Sequence, residues 1–224
     1  MCKRHKLQTL CAILLLNKEK EIPKTVLAQL LWPESSIPTA RKNLYSLWSV
    51  LIHALSLSDG SCPYFTRSTH AYAVNKALVR CDIDEFRMMC SDFQQGKFDQ
   101  ARWKHYLNVL GEDYQDVLML GEYDNTYVIR QRETCRAKLI EALMCAAQML
   151  YSAGDYTAAA ACVSNALHFD TTREDVVALL MRSYLAAGQR MKAITTYRAF
   201  KEELSRTIGI EPCDYVQQLS LIHI

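Results

Sequence analysis

The sequence predicts a mainly α-helical protein in two parts: a front of three helices with a trailing β-hairpin, and a rear that is helical throughout. Three observations predict it. Gly and Pro number only 7 and 5 in 224 residues, which leaves little room for long irregular stretches and, with abundant Ala and Leu, favours helix. Strand formers cluster in one place, residues 61–75, between helical patterns. From Cys81 onward the apolar residues follow helical spacing, with two Ala-Gly pairs 34 residues apart.

The elements follow in order. Leu7–Leu16 is apolar almost all round, as a buried helix should be. After the polar turn Asn17–Glu21, a second helix opens at Pro23, carries Leu27, Leu30 and Leu31 as its apolar stripe, and is stopped by Pro33. A third helix is expected over Pro38–Leu57, with Ala40, Leu44, Leu47, Leu51 and Leu55 on its core side at about 100° per residue. Tyr64, Phe65 and Thr66, then Tyr72 and Val74, make two strands around a polar tip, Arg67–His70. This is the order of a winged helix-turn-helix with a β-hairpin wing. Asp82 or Asp84 caps a helix through Phe93, Phe98–Leu110 makes another, and a long helix runs from about Thr126 to Ser152.

A repeat then begins. Ala153-Gly154 and Ala187-Gly188 each end one helix and open the next, and Ala159 and Ala193 fall five residues past each Gly. A period of 34 is that of tetratricopeptide repeats, whose paired helices approach closely at small residues. The first copy, with Gly154, Tyr156, Ala159, Ala166 and Asp170, fits well; the second, with Tyr197 at the aromatic position, is looser. The domains read as 1–80, winged helix; 81–218, tetratricopeptide-like helical domain; and 219–224, "LSLIHI", a non-native tail resembling a translated sequencing adapter.

Charge divides the chain at the same place. Residues 1–80 hold 11 Lys and Arg against 4 Asp and Glu, and residues 81–224 hold 15 against 20. A basic front suits a polyanion and an acidic rear suits protein contacts, although a charged face that only solvates a domain has the same signature. Nine Cys without a CxxC pair, mostly inside apolar helical runs, read as reduced thiols of a cytoplasmic protein. The basic start followed by Leu7–Leu16 imitates a secretion signal, but no small-residue cleavage site follows it, and no run reaches the ~18 apolar residues of a membrane span. No catalytic residue, cofactor or metal site is expected. The glycines are dispersed, the six His have no ligand spacing, no nucleophile elbow occurs, and Asp82 and Asp84 read as helix caps.

The segment "GDYTAAAACVSNALHFDTTREDVVALLMRSYLAAGQRMKAITTYRAFKEELSRTIGIEP" resembles the bacterial transcriptional activator domain of antibiotic-regulator (SARP-type) proteins. Its marks are "GDY", "LMRSYLAAGQR…A…Y" and the closing "L…IGIEP". Upstream, "LLLNKEKEIPKTVLAQLLWPE" resembles the first two helices of the OmpR-like winged helix that precedes that domain, and "YFTRSTHAYAVN" with "CDIDEF" resembles its wing and junction. The resemblance covers Lys6–Gln218. Two departures stand out. The family's N-terminal sheet has no counterpart before the first helix, so the start is truncated or the sheet is absent. Val50, Ile52 and His53 also stand where the third helix of the family tends to carry Arg.

A groove-reading helix needs one face for the core and the other for bases and phosphates. Opposite the core side lie Lys42, Ser49 and His53, flanked by Tyr45 and Ser46, with Arg41 on the shoulder. Lys42 suits a phosphate or a guanine edge, and the hydroxyls of Tyr45, Ser46 and Ser49 suit either. Arg67 and His70 at the wing tip reach a neighbouring groove or phosphates, and Lys24 places charge at a helix N-terminus against the backbone. The expected partners are double-stranded DNA for the front and proteins for the rear. Stacked repeat helices form a groove for a peptide or another helix, with Tyr151, Tyr156, Arg182, Tyr184 and Tyr197 as candidate contacts, most of which the repeat core claims first. The resemblance implies a homodimer or RNA polymerase contact. No membrane partner is expected. The alternatives are a helical scaffold with a winged helix that no longer binds DNA, and a secreted helical protein.

Overall fold

The computed structural model describes residues 3–97, 105–106 and 125–221. The chain divides into two units, one of Met1–Glu85 with Leu120–Glu133, the other of Phe86–Met119 with Thr134–Ile224.

The first unit is a winged helix. Helix α1 (Lys3–Leu16), strand β1 (Ile22–Pro23), helices α2 (Lys24–Leu31) and α3 (Ile37–Ala54), and strands β2 (Phe65–Arg67) and β3 (Ala71–Val74) follow in chain order. The sheet has the order β1-β3-β2 and is antiparallel throughout, with Ile22 opposite Tyr72 and Phe65 opposite Val74. Leu10, Ile13 and Leu14 of α1, Leu27 and Leu31 of α2, and Leu44 and Leu51 of α3 are fully buried, so the three apolar faces converge on one core.

Strand β1 was not expected. Two residues carry no period, and Ile22–Pro23 form a strand only because β3 offers its second edge to them. Pro23 therefore precedes α2 with an extended ψ of 136° and does not open the helix. Helix α2 ends at Leu31 because Pro33 disfavours a helical Trp32. Helix α3 starts with Pro38 in its first turn and stops at Ala54, three residues before the expected end, which leaves Leu55 39% exposed and off the core. The expected boundary at residue 80 shifts as well. The buried Lys18 ammonium pairs with Asp84, and the first turn of helix α5 (Thr126–Ser152) is held in the front unit. There Asn125 donates to the Leu30 carbonyl (2.7 Å) and Asn17 to the Tyr127 hydroxyl (2.7 Å).

The second unit takes most of helix α4 (Asp82–Gln95) and of α5, then α6 (Tyr156–Phe169), α7 (Glu174–Ala186), α8 (Arg190–Thr207) and α9 (Asp214–Leu221). The helix expected over Phe98–Leu110 lies outside the described residues except for His105 and Tyr106. The repeat is real in the backbone. Gly154 and Gly188 take φ of 84° and 72°, and the amide of the following residue reaches back five positions in both, Asp155 to Leu150 (3.0 Å) and Gln189 to Tyr184 (2.8 Å). Ala159 and Ala193 are both buried, as close helix approach requires. The copies differ at the next helix start: Asp155 accepts from the Ala158 amide (3.0 Å), whereas Gln189 makes no such cap. Leu219, Ser220 and Leu221, expected to interrupt the last helix, continue it, and Leu219 packs on the cluster of Val177, Met181, Phe200, Leu204 and Val216.

Candidate nucleic-acid interface

Helix α3 separates its residues as its periodicity requires. Ala40, Leu44, Leu47, Trp48 and Leu51 face the core; Arg41, Lys42, Tyr45, Ser46, Ser49, Val50 and His53 are exposed. Six of the nine expected contact residues therefore share one solvent face of one helix. Two of them interact: Arg41 donates to the Tyr45 hydroxyl (3.0 Å) with its guanidinium 6.0 Å from the ring centre. Ser46 donates back to the Lys42 carbonyl (3.3 Å), which leaves its lone pairs outward as acceptors.

The wing adds Arg67, exposed at the end of β2, and His70, exposed in the turn before β3. Arg67 acts on the same surface as α3. The Arg41 hydrogen bond holds the Tyr45 phenol below its usual range, and the positive fields of Lys24 and Arg67 push the same way. One phenol on α3 thus feels cations from α2, α3 and the wing.

Lys24 is a correction. It is 4% exposed, and its ammonium points inward, donating to the carbonyls of Ser68 (2.7 Å) and Thr69 (2.9 Å). The wing folds back over the start of α2 and encloses the charge, so it cannot meet a phosphate.

Trp48 and Tyr72 are the residues that sequence reasoning missed. Their rings stack at 3.6 Å and 6°, and Trp48 meets Phe65 edge-on at 5.9 Å. This aromatic group joins α3 to both wing strands and sets where the wing stands beside the helix. The signal was present, since Trp48 is four residues past the core residue Leu44.

In the rear unit the candidate aromatic residues pack on their own repeat. Tyr151 meets Tyr156 edge-on at 5.1 Å, Arg182 lies 5.1 Å from the Tyr151 ring, and Lys192 lies 5.6 Å from that of Tyr184. Tyr197 is half-buried against the cluster of α7, α8 and α9.

Residues 111–221 match the family model of the bacterial transcriptional activator domain. The rear of this chain carries a bacterial transcriptional activator domain. Most of the matched residues lie in the second unit, and residues 120–133 of the match belong to the first. A search among curated proteins finds no match. Among solved structures, Mycobacterium tuberculosis EmbR in complex with a low-affinity phosphopeptide is similar, with a TM-score of 0.64 and 19% identity. The likeness covers 97% of this chain and 58% of the EmbR chain, so this sequence spans little more than half of EmbR's length. At that identity the likeness is one of fold, and it extends through both the winged helix and the activator domain. Among the described residues no helix is long and apolar enough to cross a membrane.

Proposed function

We propose that this chain is a cytoplasmic, promoter-binding transcription regulator that holds DNA with its winged helix and proteins with its activator domain. The exposed face of α3 enters the major groove. Lys42 and Arg41 meet phosphates or a guanine edge, while Tyr45, Ser46, Ser49 and His53 add further polar contacts. Arg67 and His70 reach the flanking backbone. The observation that carries this reading is the exposed face of α3, where Arg41, Lys42, Tyr45, Ser46, Ser49 and His53 stand together on a helix that holds no carboxylate of its own. The activator domain supplies a homodimer contact or one with RNA polymerase. Dimers on repeated half-sites fit a head with few cations, because one copy makes only about three or four phosphate contacts and binds weakly.

A second reading is a scaffold whose winged helix no longer binds DNA. Val50, 48% exposed where a cation would serve better, favours it. Titration of the full chain against a duplex at several salt concentrations separates the two. Binding that falls steeply with salt, with Lys42→Ala and Arg67→Ala each lowering the log–log slope by about 0.9, supports the regulator. No binding at low salt supports the scaffold.

A further inference from the structure

One residue receives every carbonyl of the wing's turn. The Lys24 amide donates to His70 (2.9 Å), and its ammonium donates to Ser68 (2.7 Å) and Thr69 (2.9 Å) while standing 5.1 Å from the centre of the Tyr72 ring. Two general costs oppose a lysine here. A buried ammonium loses hydration that carbonyl dipoles replace only in part. A cation in the first turn of α2 also faces the positive end of the helix dipole. An apolar side chain would fill the space without either cost. It would not fix the course of three successive peptide units between Arg67 and Ala71.

We propose that Lys24 is a positioning residue for nucleic-acid binding: it clamps the wing's turn from inside, so that Arg67 and His70 are presented to the duplex in one place. This rests on the DNA-binding reading above. The clamp orders the turn during folding, so that ordering cost does not fall on binding. The side chains of Arg67, Thr69 and His70 stay exposed because only the backbone of the turn faces inward. The cation acts through the geometry of the turn, not by touching the ligand.

The test is a pair of double-mutant cycles on the full chain, with affinity for a random-sequence duplex at low salt as the readout. Lys24→Met keeps the apolar stem and removes the ammonium. Hydrogen exchange over residues 65–74 should quicken by about tenfold or more while helical circular dichroism is unchanged. Affinity should fall roughly tenfold, and the same loss is expected of Arg67→Ala. The double variant Lys24→Met with Arg67→Ala should be no weaker than either single, whereas Lys24→Met with Lys42→Ala should lose both factors. Additive losses with Arg67→Ala, or masking of Lys42→Ala as well, overturn the clamp while leaving DNA binding in place. Absence of binding by the unmutated chain is a different failure, because it removes the DNA reading and this role together. If Lys24→Met does not fold, Lys24→Leu, which likewise carries no side-chain donor, takes its place in both cycles.

Discussion

Trp48 lies flat on Tyr72 and edge-on to Phe65, so a single side chain of α3 ties the helix to both strands of the wing. Truncating it leaves a large void between elements that have few other bonds to one another. Trp48→Ala should cost about 3–5 kcal/mol in urea unfolding, with α1 and α2 still helical in the folded state. Tyr72 behaves differently. Its hydroxyl is buried with no hydrogen-bond partner among the described residues, and burial pushes its pKa above the usual range. Tyr72→Phe removes that unpaired polar atom and keeps the stack, so it should leave stability within ~1 kcal/mol of the parent or raise it. At this scale the sequence was informative about type and poor about direction. The exposed face of α3 followed from a period of 3.6, and Arg41, Lys42, Ser49 and His53 came out where that period put them. Lys24 did not, because nothing local says that a turn some 45 residues later folds over it.

The breaks between α5 and α6 and between α7 and α8 are marked in the sequence with glycine, and Gly154 and Gly188 have a backbone reason to be there. Both sit at positive φ, and a Cβ at either would meet nothing within 4 Å among the described residues. The strain is therefore in the backbone alone, with no steric clash to add. Gly154→Ala and Gly188→Ala should each cost about 1 kcal/mol, read as a lowered thermal midpoint with an unchanged helical spectrum. Gly96 is a contrasting case: it too is at positive φ, but a Cβ there would come 2.8 Å from the Met149 sulfur, so its replacement also displaces a side chain. The repeat was legible because a turn needing φ > 0 leaves a residue type as its trace. Strand β1 left none. Its two residues lie opposite Tyr72 and Ala71 by main-chain pairing, which leaves no side-chain pattern in the sequence.

Across the whole molecule, thiol chemistry reports how the cores are sealed. Burial pushes Cys90 up to about 12 and raises Cys162 further, whereas Cys213 is exposed. Iodoacetamide at pH 8 should label Cys213 in the folded chain and spare Cys90 and Cys162 until denaturant is added, as peptide mass mapping would show. The same shifts give a direction with pH. Below 9.0 both thiols are protonated whether folded or not, and stability is insensitive to them. As pH rises from there toward about 12, the unfolded chain releases protons that the folded one keeps, so stability falls.

The amino-acid order alone determined the helical class, the winged-helix sequence of elements, the 34-residue repeat, the basic front and acidic rear, and the resemblance that the family match bears out. Each of these depends on spacing, composition or a φ requirement within one segment, and such constraints are written locally. Tertiary structure decided what lies far apart in sequence: the third strand, the stacking of Trp48 on Tyr72, the entry of Asn125 and Tyr127 into the front unit, and the inward course of the Lys24 ammonium. In each, one group's place depends on an unpaired edge, ring or carbonyl brought up by a distant segment. The energy that selects it exists only once both are assembled.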